Sequence, residues 1–151
     1  MIGAIVLALL LGVLYLKHEQ EVGYFIVESE SMEPTLKIGD RLVMEKAETY
    51  AKGEIVVFEP PTGGSLLVKR IVALSGERVS TKDDDLTVGP ETDPAPPKGK
   101  TWIVKPGEAF VAGDNRAVSK DSRDYGPIPL TRIHGKVNYR VRSIWSWERV
   151  K

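Results

Sequence analysis

Leu66-Leu67-Val68-Lys69-Arg70-Ile71-Val72-Ala73-Leu74 is an apolar run interrupted by two cations. It is rich in Leu, Val and Ile, ends at Ser75-Gly76, and is too short for a typical helix, so it reads as a β-strand. Side chains alternate along a strand. Lys69 therefore points with Leu67, Ile71 and Ala73, while Arg70 points the other way. Burial among apolar groups disfavours the ammonium form and lowers a lysine pKa. A lysine so placed either guards an edge strand against aggregation or acts as a neutral base. The strand alone favours the guard. The segments before and after it reverse that preference.

The same pattern of short apolar runs recurs on both sides of this strand. Candidate strands are Tyr24–Glu28, Arg41–Glu45, Glu54–Glu59, Glu77–Ser80, Thr101–Lys105, Ala109–Ala112 and Lys136–Ile144. Breaks fall at Lys37-Ile38-Gly39-Asp40, Pro60-Pro61-Thr62-Gly63-Gly64 and Pro106-Gly107. Lys46–Lys52 reads as one or two helical turns. Many short strands without a βαβ rhythm predict a mostly β fold, an antiparallel barrel or sandwich. The segment at about 81–100 carries Asp83-Asp84-Asp85 and four prolines with little to bury, and reads as a protruding loop or hairpin. The aspartates lack the alternating ligands and closing Glu of a calcium loop.

Upstream of the lysine stands Ser29-Glu30-Ser31-Met32-Glu33-Pro34-Thr35-Leu36. Ser31 closely precedes a proline, so it belongs to a turn or strand end. A serine hydroxyl needs a base before it can attack. Neutral Lys69 supplies one. The Ser31 N–H offers an oxyanion donor and the Ser29 hydroxyl a second. Downstream stands Gly113-Asp114-Asn115-Arg116-Ala117-Val118-Ser119-Lys120-Asp121-Ser122-Arg123. Its density of Asp and Arg suits an ion-pair network that holds a loop against the catalytic strands. Ser119 is the member best suited to orient Lys69. An aspartic dyad of Asp114 and Asp121 fits poorly beside so many arginines. The chain has only two histidines, His18 and His134, and a triad through His134 is the weaker choice.

Composition sets the limits. With 151 residues the chain makes one domain, or one domain with an elaboration. Lys+Arg and Asp+Glu number 21 each, so a nucleic-acid partner is not expected. Cysteine does not occur, which excludes disulfides and a cysteine nucleophile. No metal or cofactor is expected.

Ile2–Leu16 is free of charge. As a helix it would extend roughly 22 Å against about 30 Å of hydrocarbon, short for a span unless Met1 and a snorkelling Lys17 extend it. A cleaved leader would want a basic start and a small-x-small cleavage site, and a core helix would be amphipathic. A membrane anchor over residues 1–20, followed by a β catalytic domain over 21–151, is the preferred reading.

Ser31-Met32-x-Pro34-Thr35-Leu36 with Ile38-Gly39-Asp40, then Lys69 through Glu77, then Gly113-Asp114-Asn115-Arg116 with Ser119-x-Asp121-Ser122-Arg123, resembles bacterial type I signal peptidase. The motifs stand in the family's order. The resemblance implies a single N-terminal transmembrane helix and a serine endopeptidase that removes signal peptides from exported pre-proteins. Cleavage would follow small residues in an Ala-x-Ala pattern, through an acyl-enzyme. It implies Ser31 as nucleophile, Lys69 as base, Ser29 and Ser31 as oxyanion donors, and Ser119 orienting the lysine. Asp121 and Arg123 would brace the site, and Met32 and Leu36 would help line the substrate pockets. The partners implied are pre-proteins bound as an added strand, and the lipid bilayer; the oligomeric state stays open. The expected place is the cytoplasmic membrane with the catalytic domain on its outer side. Glu28 and Glu30 depart from the family's usual uncharged residues, and strand alternation predicts that both point away from the dyad. The alternatives are a specialised Ser/Lys processing peptidase of pilin or conjugation type, and an inactive peptide-binding domain on an anchor.

Overall fold

The lysine-bearing run forms a strand over Leu67–Leu74, and its burial follows the predicted alternation, with Lys69, Ile71 and Ala73 all buried. The structure is a computed structural model that describes residues 22–82, 85–93, 99–143 and 146–150. The expected anchor at 1–20 lies outside these residues. Among the described residues no helix is long and apolar enough to cross a membrane.

The described strands, in chain order, are β1 (Val22–Ile26), β2 (Arg41–Glu45), β3 (Ile55–Phe58), β4 (Leu67–Leu74), β5 (Glu77–Lys82) and β6 (Asp85–Pro90). They continue with β7 (Thr101–Ile103), β8 (Glu108–Ala112), β9 (Ile128–Pro129), β10 (Ile133–Ser143) and β11 (Ser146–Arg149). One short helix, α1 (Ser122–Tyr125), and two 3-10 turns complete the set. The larger sheet runs β1-β2-β10-β3-β4-β8-β9, with β11 also paired to β10, and every pairing is antiparallel. It forms a curled half-barrel, as the strand pattern predicts for a mostly β chain. A second sheet of three strands, ordered β6-β5-β7, grows from the Ser75-Gly76 turn after β4.

Every residue of β3 is buried, because the curled sheet covers both of its faces. One core cluster holds Val27, Met32, Leu36, Leu42, Ile55, Val57, Val68 and Val137. A second holds Val56, Phe58, Ile71, Ala109, Val111, Ile128 and Ile133. A third, with Phe110, Val79 and Val104, joins the small sheet to the large one, and there the Trp102 and Phe110 rings lie 5.2 Å apart. These clusters make β3 and β4 a stiff platform for whatever their side chains carry.

Two local expectations are corrected. Lys46–Lys52 is irregular rather than helical. There the Ala51 N–H donates to Glu54 Oε2 (2.9 Å), a side-chain-closed turn that competes with helix formation. The C-terminal strand starts earlier than Lys136 and pairs with a further strand, β11. Its alternation is blurred by register shifts between Val137 and Tyr139 and between Val141 and Ser143.

Candidate active site

β1 ends at Ile26, and Val27 is tied back by its N–H to the carbonyl of Asp40 (2.9 Å). Ser29 is extended (φ −139°, ψ 160°), and the chain then winds into a 3-10 turn over Glu30–Met32. Ser31 therefore sits on a turn rather than on a continued strand. Even so, the Ser29 and Ser31 hydroxyls come within 3.0 Å. Glu28 and Glu30 are exposed. Met32 and Leu36 are fully buried in the core, packed with Val27 and Val68 beneath the turn rather than on an open wall.

Lys69 pairs across from Val56 of β3 and is 2% exposed; Ser31 is 5% exposed. The Lys69 amine lies 2.7 Å from the Ser31 hydroxyl and 2.9 Å from the Val68 carbonyl oxygen. Burial pulls the Lys69 pKa down from 10.5 to about 8, against the opposing pull of the Asp121 charge. A substantial neutral fraction is then present in mildly alkaline water.

The polar block forms the third wall. The Ser119 hydroxyl donates to Asp121 Oδ2 (2.7 Å). Among the described residues, the Lys69 amine bonds only Ser31 and Val68. Ser119 thus reaches Lys69 through the Asp121 charge rather than a direct bond. Asp121 is wholly buried and caps α1. Its carboxylate also accepts the Gly113 N–H (3.0 Å) and the Arg123 Nε–H (2.9 Å). Burial opposes its ionisation, but these donors outweigh burial and hold its carboxyl below the ordinary range.

Asn115, Thr35 and Gly113, which the sequence left without a role, join Asp114 of the expected ion-pair network in tying the three walls together. Asn115 donates its backbone N–H to the Ser31 carbonyl (3.0 Å) and its amide to the Glu30 carbonyl (3.3 Å). Asp114 takes two bonds from Arg70, Nε at 2.9 Å and Nη2 at 2.7 Å, and one from the Thr35 hydroxyl at 2.6 Å. It thus bridges the Ser31 turn to the Lys69 strand. Burial resists the Asp114 charge, yet Arg70 and Thr35 keep its carboxyl below the usual range. Both aspartates are therefore ionised and paired, which disposes of the dyad alternative. A Cβ on Gly113 would overlap the Ser119 side chain and the Ser31 carbonyl oxygen, so only glycine lets the loop approach this closely. The alternation that sends Arg70 away from Lys69 was the available clue to the Arg70–Asp114 pair. His134 is exposed. Among the described residues no group of His, Asp and Glu could hold a metal.

The family model for signal peptidase, peptidase S26, matches residues 1–96 and 90–145. Signal peptidase IB of Staphylococcus aureus is 32% identical over 164 aligned positions, which cover 86% of this chain and 84% of that protein. The probable thylakoidal processing peptidase 2 of Arabidopsis thaliana is also 32% identical, over 76% of this chain but 36% of its own length. A solved structure of signal peptidase I from Enterococcus faecalis V583 aligns with a TM-score of 0.48 at 24% identity, covering 60% of this chain and 98% of that one.

Proposed function

The chain belongs to the signal peptidase family, peptidase S26, and is a signal peptidase I-type serine protease; from that premise we propose that Ser31 and Lys69 are its catalytic dyad. The observation that carries this reading is the 2.7 Å approach of a buried amine, with its pKa near 8, to the Ser31 hydroxyl.

Neutral Lys69 takes the Ser31 proton as Oγ attacks the scissile carbonyl. The developing oxyanion is held by the Ser31 N–H and the Ser29 hydroxyl. The lysine ammonium then protonates the leaving amine, which leaves an acyl-enzyme on Ser31. The same amine, neutral again, takes a proton from water, and the resulting attack frees the serine. Ser119, Asp121 and Arg123 position the base through the Asp121 field. Met32 and Leu36, buried beneath the turn, support from below the surface that accepts small substrate side chains. The signal peptide binds as an added strand beside β1, which lies at an edge of the large sheet. Residues 1–20 anchor the chain in the cytoplasmic membrane, with the catalytic domain on the outer side.

The test is cleavage of a precursor bearing an Ala-x-Ala site by the parent chain, Ser31→Ala and Lys69→Ala. The parent should cut after the second alanine, and both variants should lose at least about 10³-fold in rate. Undiminished cleavage by Lys69→Ala, or inhibition of the parent by a metal chelator, would assign the chemistry elsewhere.

A further inference from the structure

Beside the catalytic loop lies a cleft of about 460 Å³, lined by Thr81, Lys100, Arg116, Ser119, Arg123 and Asp124 among others. Three of these carry positive charge. Arg123 is committed to Asp121, at 2.9 Å. Arg116 is half-buried and donates to the Gly113 carbonyl, but among the described residues no carboxylate lies within ion-pair distance of it. Burial lowers its pKa despite Asp121, and the Arg123 charge adds to the fall. Asp114 also favours the charge and Arg70 opposes it, so Arg116 feels both aspartates at a distance without a direct carboxylate partner. Lys100 is exposed and likewise has no ion-pair partner among the described residues. The single lining acid, Asp124, has one carboxylate oxygen engaged by the Asp121 N–H (2.9 Å). Among the described residues the cleft therefore presents a wall with more positive than negative charge.

Its position matters as much as its charge. Ser119 belongs to the cleft wall, and its side chain and the Ser31 carbonyl flank the same point above Gly113. A polypeptide held over Ser31 in extended form advances about 3.3 Å per residue, so four residues reach about 13 Å, enough to bring a side chain from the cut to a cleft walled by Ser119. A guanidinium presents a planar fork of donors that matches a carboxylate.

We infer that this cleft is a subsite for a carboxylate side chain of the substrate polypeptide, within four residues of the bond that is cut. This rests on the dyad reading above. Substrate is the occupant the activity itself brings there. Arg116 and Lys100 are then specificity-determining residues, absent from the proton transfers.

The test walks one Glu, against a matched Gln, through peptide positions within four residues of the cut, leaving the small residues of the cleavage site untouched. The enzymes are the parent, Lys100→Glu and Arg116→Gln. The parent should show a kcat/KM advantage of about 5- to 20-fold for Glu at one position, shrinking with added salt. Lys100→Glu should bring that ratio to unity or below, and Arg116→Gln should weaken it, with Gln peptides still cut by both variants. An advantage at no position, or one that survives both substitutions, overturns the subsite while Ser31- and Lys69-dependent cleavage leaves the dyad standing. Cleavage of none of the peptides by any of the enzymes overturns both. If vesicles of phosphatidylglycerol and phosphatidylcholine raise cleavage of Glu and Gln peptides alike, and Lys100→Glu removes the effect, the cleft takes lipid phosphate and the carboxylate assignment fails.

Discussion

Lys69 shows how a single side chain can be set by its neighbours on one strand. It shares the buried face of β4 with Ile71 and Ala73, and that burial lowers its pKa to about 8. The same shift has a consequence for stability. The folded value lies below the ordinary 10.5, so between about pH 8 and 10.5 the unfolded chain holds more protons on this residue than the folded one. Stability therefore rises with pH across that window, and the cost of burying the charge is felt in full below it. Lys69→Met should accordingly unfold at higher urea than the parent at pH 6, by up to about 3 kcal/mol, with the gap closing toward pH 10.5. Urea midpoints at the two pH values check this; a gap that does not depend on pH would remove the linkage. At this scale the alternation of one strand made Lys69 legible in the sequence. The meeting of Ser29 and Ser31 was legible only in part, because the turn at Glu30 replaces the strand continuation on which their common side was argued.

At the scale of elements, the site is a junction of β4, the Glu30–Met32 turn and the loop from Gly113 to Arg123. Gly113→Ala should force that loop away from Ser31 and Ser119. We expect kcat to fall about 10²-fold with KM little changed, since the loss is of positioning. A normal kcat with a raised KM would instead place the glycine against substrate. Asp114→Ala leaves Arg70 and the Thr35 hydroxyl without their shared acceptor, and should cost about 2 kcal/mol in urea unfolding at pH 7. The folded pKa of Asp114 is depressed. Its contribution is thus fully present above the unfolded value near 3.8 and lost as the pH falls through the folded one, so the parent and the variant should converge in acid. The density of Asp and Arg in this block announced a network, but not its wiring. Asp114 finds Arg70, distant in sequence, rather than Arg116 two residues along. That choice depends on which strand passes beneath the loop, which no local pattern records.

At the scale of the molecule, short alternating runs made a mostly β antiparallel chain readable. The strand order was not readable, because β10 inserts between β2 and β3 only after most of the chain has been laid down. The short strands β9 and β11 each carried too little pattern to be seen. The anchor proposal concerns the whole chain as well. A chain starting at residue 22 should fail to float with liposomes, whereas the full chain should float, and both should cut a short soluble peptide. Flotation of the shortened chain would move membrane attachment onto the β domain.

For Lys69 to act as the base, the amine beside Ser31 must be uncharged when the enzyme works. Nuclear magnetic resonance of the side-chain nitrogen of Lys69, followed from pH 6 to 11, reads that protonation directly. The account predicts a midpoint close to 8; a midpoint near 10.4, the value of a lysine in water, would contradict it.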